Sequence, residues 1–161
     1  MRAITLHQPW ASLIAIGAKT FETRSFPPPA KLIGQRIAIH AAVRDPVKIY
    51  MEMYRANDPA WEPICNALDD AGFDGLNWSL LPLGAAVATA VLTGAYQLGD
   101  GGQVVQRRGT GPQYLTLKTD HFGDYTPGRW AWLLTDVQPL ATPIPAKGKQ
   151  GWWEWDEIHG G

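Results

Sequence analysis

The chain has 161 residues, 45% hydrophobic and 18% charged, with a net charge of −1 and a sequence pI of about 6.4. That length fits one domain over residues 1–161 with a core of its own, and the composition excludes a disordered chain. The near-neutral charge excludes a protein that coats duplex DNA through many phosphate contacts, because such proteins carry a marked basic surplus.

Ala3 to Leu6 is apolar and partly β-branched and reads as a first strand. Pro9 suits a helix start, and Trp10, Leu13 and Ile14 follow at helical spacing, with Gly17 as the C-terminal cap. Lys19 to Ser25 alternates as a strand, stopped by Pro27, Pro28 and Pro29. Gln35 to Ala41 reads as the next strand. Asp45-Pro46 and Asp58-Pro59 are two helix starts, the Asp as N-cap and the Pro in the first turn. The first helix carries Val47, Tyr50, Met51 and Tyr54 on one face, the second Trp61, Ile64, Cys65 and Leu68, and Gly72 closes the pair.

Gly84 to Leu98 is long enough for a bent central strand. Gly99 to Gly128 holds seven glycines and reads as a long polar connection, with a short strand over Tyr114 to Leu117 and Arg107-Arg108 at a solvated tip. Arg129 to Leu140 places Trp130, Trp132 and Leu134 on one face of a strand. Pro139, Pro143 and Pro145 mark an edge strand or coil beyond it, and Gly151 to Ile158 reads as a short helix docking on the barrel. The order predicts a mixed α+β domain, barrel-like, with flanking helices and a helical insert.

The eight tryptophans serve a core, but the same side chain serves interfaces and base stacking. Cys65 is the only cysteine, so no intrachain disulfide forms and a buried core thiol is expected. The opening residues lack the apolar stretch of a secretory signal, and no apolar run reaches spanning length. A cytoplasmic location with no membrane partner is therefore expected. His7, His40, His121 and His159 show no metal-ligand spacing, so no metal and no cofactor is expected. Gly17-Ala18-Lys19-Thr20 lacks the glycine that a phosphate-binding loop places before its lysine.

Lys19, Glu22 and Arg24 form the densest polar cluster. Strand alternation puts Glu22 and Arg24 on one face, and Lys19 joins them only if it sits in the turn after Gly17. By spacing alone the cluster is also readable as a solvated surface ion pair.

Gly17-Ala18-Lys19-Thr20-Phe21-Glu22-Thr23-Arg24 matches the G-x-K-x-x-E-x-R signature of ASCH domains at every fixed position. Leu6-His7-Gln8-Pro9-Trp10-Ala11-Ser12-Leu13, Gly34 to Ala42, Gly128 to Leu134 and Ile144 to Gly148 also resemble that family, in the right order. The resemblance covers both ends of the chain and is weak across the helical insert and the glycine-rich connection. It implies a PUA-like β-barrel whose signature residues face a cleft, and association with RNA or single-stranded nucleic acid, or with a modified nucleotide. Lys19 and Arg24 would take phosphate or base oxygens, and Glu22 would accept from an exocyclic amine. Gln8, Trp10 and His40 flank the cluster, while Lys147 and Gln150 belong to a segment that the family brings near the cleft. Trp10 is equally readable as a base-stacking platform and as core. The resemblance also implies an enzymatic alternative. One branch hydrolyses N4-acetylcytidine through a signature lysine, a nearby threonine and a carboxylate. Lys19 matches the lysine and Glu22 departs from the threonine, so on this alternative Lys19 and Glu22 are the catalytic candidates. Only Asp124 or Asp136 suggests itself as a second carboxylate. Other relatives are metal-dependent ribonucleases.

Overall fold

The computed structural model of the chain describes residues 1–157, so Ile158 and His159 lie outside the described residues. The elements are β1 (Arg2–Leu6), α1 (Trp10–Ala15), β2 (Phe21–Arg24), β3 (Arg36–Ala41), α2 (Pro46–Arg55), α3 (Trp61–Asp70), β4 (Ala85–Leu98), β5 (Val104–Gly109), β6 (Trp130–Pro145) and β7 (Trp153–Glu154). Short 3₁₀ turns join some of them.

The strands form one seven-stranded sheet in the order β2-β6-β4-β3-β1-β7, with β5 on β4. β1 and β3 run parallel and every other pair is antiparallel. The fold is thus mixed α+β, as expected. The barrel is not closed: β2 and β7 end the ladder, with no pairing between them among the described residues. The long β4 and β6 nonetheless coil, because their register shifts near Ala88, Thr89 and Leu92, and each such irregularity adds bend and twist.

The buried face of the sheet holds Ile37, Ile39, Leu92, Trp130, Trp132 and Leu134, and α1 packs Ala11 and Ile14 into the same cluster. Leu13, on the other side of α1, enters a second cluster with Ile49, Met53, Ile64, Cys65, Leu68 and Trp78. One six-residue helix therefore joins the sheet core to the insert core. Asp45 caps α2 by accepting the Val47 N–H at 2.9 Å, with Pro46 in the first turn, as its sequence predicts. The packed face of α2 differs from expectation. Ile49 and Met53 are buried, whereas Tyr54 is exposed and stacks on Tyr50 at 6.4 Å. Aromatic packing against Trp61 and Trp78 draws Tyr50 to the flank of the helix and turns its aliphatic residues inward.

Three further expectations are corrected. The glycine-rich connection contains β5, so Arg107 and Arg108 lie in a paired strand: Arg107 donates to the Gly111 carbonyl and Arg108 sits 5.1 Å over the Trp130 ring. Tyr114 to Leu117 contributes only one isolated bridge, Gln103 to Thr116. The C-terminal segment forms β7 on β1 rather than a helix, because Trp153 and Trp155 bury themselves against Ala3, Ala38 and Ala86. The prolines of β6 are tolerated because β2 covers only Trp130 to Leu133, which leaves that side of the strand unpaired beyond.

Trp132 anchors this frame. Its indole N–H donates to the Phe26 carbonyl at 3.1 Å and its ring stacks on Trp152 at 5.7 Å. Trp132→Ala is expected to cost about 3–5 kcal/mol of stability, the usual range for a buried Trp truncation, read from urea unfolding. A loss below about 1 kcal/mol would show that the site collapses around the gap.

Candidate functional site

Gly17, at φ +80°, ends α1, and the Lys19 N–H then donates to the Leu13 carbonyl at 3.0 Å. This tight exit puts Lys19 in the turn before β2, the position it needs to join Glu22 and Arg24. Its side chain is 2% exposed. Nζ donates to the Phe122 carbonyl at 3.1 Å and lies 3.8 Å from Glu22 Oε2. Arg24 Nε donates to Glu22 Oε1 at 2.9 Å, and its guanidinium lies 6.0 Å over the Trp132 ring. One carboxylate therefore bridges two cations, one sealed and one open to solvent. Burial pushes the Lys19 pKa down, with Arg24 assisting, while Glu22 and Asp120 oppose the shift.

The cluster lies in a cleft of about 1000 Å³. Trp10, half-buried at the edge of the insert core, lines one side. Met53 and Asp58 of the insert region extend that wall. His7 and His40 line the cleft with Thr5. Lys147, Lys149 and Gln150 arrive on an exposed strap between β6 and β7. Of the residues singled out by sequence, the structure thus brings together Lys19, Glu22, Arg24, Trp10, His40, Lys147 and Gln150. Gln8 is not brought to the cleft. It is fully buried, its amide donating to Ser12 Oγ and the Pro82 carbonyl and accepting the Ser12 N–H, so it ties α1 to the segment that leads into β4.

The opposite wall was not legible in sequence. Residues 119–129 fold back over β2: the Asp124 N–H donates to Thr23 Oγ1 at 3.0 Å and Arg129 donates to the Thr23 carbonyl at 3.3 Å. A Cβ on Gly123 would come within 2.9 Å of Thr23 Cγ2, so only glycine allows this approach. Asp124 lines the cleft with its carboxylate 3.4 Å from Arg129 Nε, and its hydrogen bonds to Thr126 lower its pKa. Asp136, the other carboxylate suggested by sequence, instead pairs with Arg36. The Tyr125 hydroxyl is buried without a well-formed hydrogen bond, and burial, Asp120 and Glu22 together hold its proton well above the usual phenol range. Among the described residues no group of three His, Cys, Asp or Glu side chains is arranged to hold a metal ion.

A family model described as the ASCH domain matches residues 4–101. Among solved structures, the crystal structure of ASCH from Zymomonas mobilis is similar, at 19% identity and a TM-score of 0.50, covering 98% of this chain and 88% of that one. At that identity the likeness concerns the fold alone. No curated protein matches the sequence.

Two outcomes follow from the burial of Lys19 and His40. Lys19→Ala removes the donor that holds the Phe122 carbonyl, and hydrogen exchange at the Asp124 amide is expected to quicken by about tenfold or more, the loss of one charge-assisted bond. Unchanged protection would show that Thr23 alone holds the loop. His40, buried and hydrogen-bonded to the Ala146 carbonyl, has a pKa below its ordinary 6.5, with burial the larger influence. The unfolded chain therefore binds this proton more readily, so stability is lost as pH falls below 6.5 and towards the lower folded value. His40→Gln is expected to flatten that part of the pH dependence of the unfolding midpoint, and an identical profile would refute the assignment.

Proposed function

The chain belongs to the ASCH domain family, and on that premise we propose that its cleft binds RNA or single-stranded nucleic acid, seating one ordinary or modified nucleotide over Lys19, Glu22 and Arg24. The observation that carries this reading is the burial of Lys19 and Glu22 at the base of an accessible cleft. A buried ion pair is a weak source of stability, since apolar residues of the same volume often serve a core better. Charged groups concentrated in a cleft are instead the mark of a recognition site. Arg24, open on its outer side, is suited to phosphate or base oxygens, and Glu22 to an exocyclic amine. Trp10 offers an aromatic edge at the wall for a base, and Lys147 and Gln150 offer donors at the rim.

The net charge of −1 agrees with a local grip on few nucleotides. Affinity should therefore depend only weakly on salt, because few counterions are released. The coiled sheet supports a PUA-like architecture, and a cytoplasmic location belongs to the same reading. No helix among the described residues is long and apolar enough to cross a membrane. In fluorescence anisotropy with labelled single-stranded RNA, Lys19→Ala and Arg24→Ala are each expected to weaken binding about tenfold or more, in keeping with the loss of one charged hydrogen bond. Affinity unchanged from that of the unaltered protein in both variants would overturn the reading.

A second reading, hydrolysis of an acyl group from a modified nucleoside such as N4-acetylcytidine, is favoured by one observation: burial lowers the Lys19 pKa, as a lysine nucleophile or base requires. Release of cytidine by the unaltered protein, lost in Lys19→Ala and not restored by Lys19→Arg, would support an enzyme. No turnover would leave binding alone.

A further inference from the structure

His40 is 1% exposed, lines the cleft, and is held in one tautomer by its neighbour. Its Nε2 lies 2.9 Å from the Ala146 carbonyl. A carbonyl only accepts, so Nε2 carries the proton and Nδ1 presents a bare lone pair. That Nδ1 is buried and has no hydrogen-bond partner. A buried acceptor left unpaired is costly and asks for an explanation.

The surroundings supply one. Thr5 faces His40 across the parallel β1–β3 pair. Its Oγ1 accepts the Trp153 indole N–H at 3.0 Å, which leaves the Thr5 hydroxyl hydrogen free to donate. Trp153 meets the His40 ring edge-on at 5.3 Å and fixes the ring plane. Over this donor and acceptor passes Gly148. A Cβ there would come within 2.5 Å of His40 Cε1 and 2.7 Å of Nδ1, so glycine is what lets the strap close on the ring. The strap is held at its ends, by the Ala146 N–H on the Gly84 carbonyl and by β7 on β1. Among the described residues, Lys147, Lys149 and Gln150 between those ends make no hydrogen bond or ion pair. The ring is fixed on two sides, and the strap over it is tied at its ends.

We propose that His40 Nδ1 is the acceptor that reads a hydrogen-bond donor on the bound nucleotide, either a ribose 2′-hydroxyl or an exocyclic amine, once the ligand lifts the strap at Gly148. This rests on the nucleic-acid reading above and extends it from a general grip to discrimination among nucleotides. Thr5 is the positioning partner, able to donate to the same group when that group also accepts.

The test compares oligo(rC), oligo(dC) and oligo(rU) against the unaltered protein and His40→Gln. Glutamine keeps a donor near Nε2 for Ala146 and removes the acceptor at Nδ1. Affinity is expected to fall about tenfold in His40→Gln for the probes that carry the donor, as for one deleted hydrogen bond, and to stay unchanged for the probe that lacks it. A loss spared only in oligo(dC) identifies the hydroxyl, and one spared only in oligo(rU) identifies the amine. No loss, or an equal loss on all three, overturns the proposal. A second measurement needs no variant: the ¹⁵N resonance of His40 Nδ1 in the unaltered protein is expected to move on adding oligo(rC). Binding of oligo(rC) with that resonance unmoved sinks this proposal alone. Failure to bind any of the three probes sinks the nucleic-acid reading and this proposal with it.

Discussion

The molecule is organised around keeping a lysine ammonium out of water. Lys19 has lost its hydration and in exchange holds one carbonyl, from Phe122, and part of one carboxylate, from Glu22. Neither partner is local in the ordinary sense. Glu22 needs β2 to begin two residues after Lys19, which needs α1 to end at Gly17. Phe122 comes from a segment about a hundred residues downstream, which needs β6 paired on β2 and Gly123 pressed on Thr23. A helix end, an edge strand and a distant loop must all be in register before that charge is tolerable. Those three elements form the charged floor of the cleft.

The same constraint explains why the charges are graded. Lys19 is sealed, Glu22 nearly so, and Arg24 a third exposed. Moving outwards, each group keeps more of its water. The interior pair is fixed in place, and the outer guanidinium lies over the Trp132 face with one side open to the cleft.

How much of this was legible in the sequence depends on whether a residue's partners are near it in the chain. Lys19, Glu22 and Arg24 stood out because the signature packs them into six positions, and Asp45 because its cap bonds two residues on. β5 was missed because Val104 to Gly109 carries two arginines and no alternation, and it becomes a strand only through its pairing with β4. Gln8 attracted attention as a polar residue beside a motif, yet its amide is consumed by Ser12 and Pro82, a contact 74 residues away. The wall made by residues 119–129 carried no local signal, since turn-rich sequence does not reveal which strand it will cover. Trp153 was expected in a helix because short aromatic segments suit either state, and its alanine-lined seat on Ala3, Ala38 and Ala86 decided for a strand.

The wall contributed by Met53 and Asp58 is attached in a different way from the strands that carry Glu22, Arg24 and His40. Neither α2 nor α3 shares a backbone ladder with the sheet; they are joined to it by side-chain packing on Leu13 of α1. The width of the cleft on that side is therefore a matter of side-chain volume at one helix interface, whereas the positions of the charges are a matter of strand register. Substitutions in the insert can thus change the width of the cleft on that side while the strand register that places Glu22 and Arg24 stays as it is.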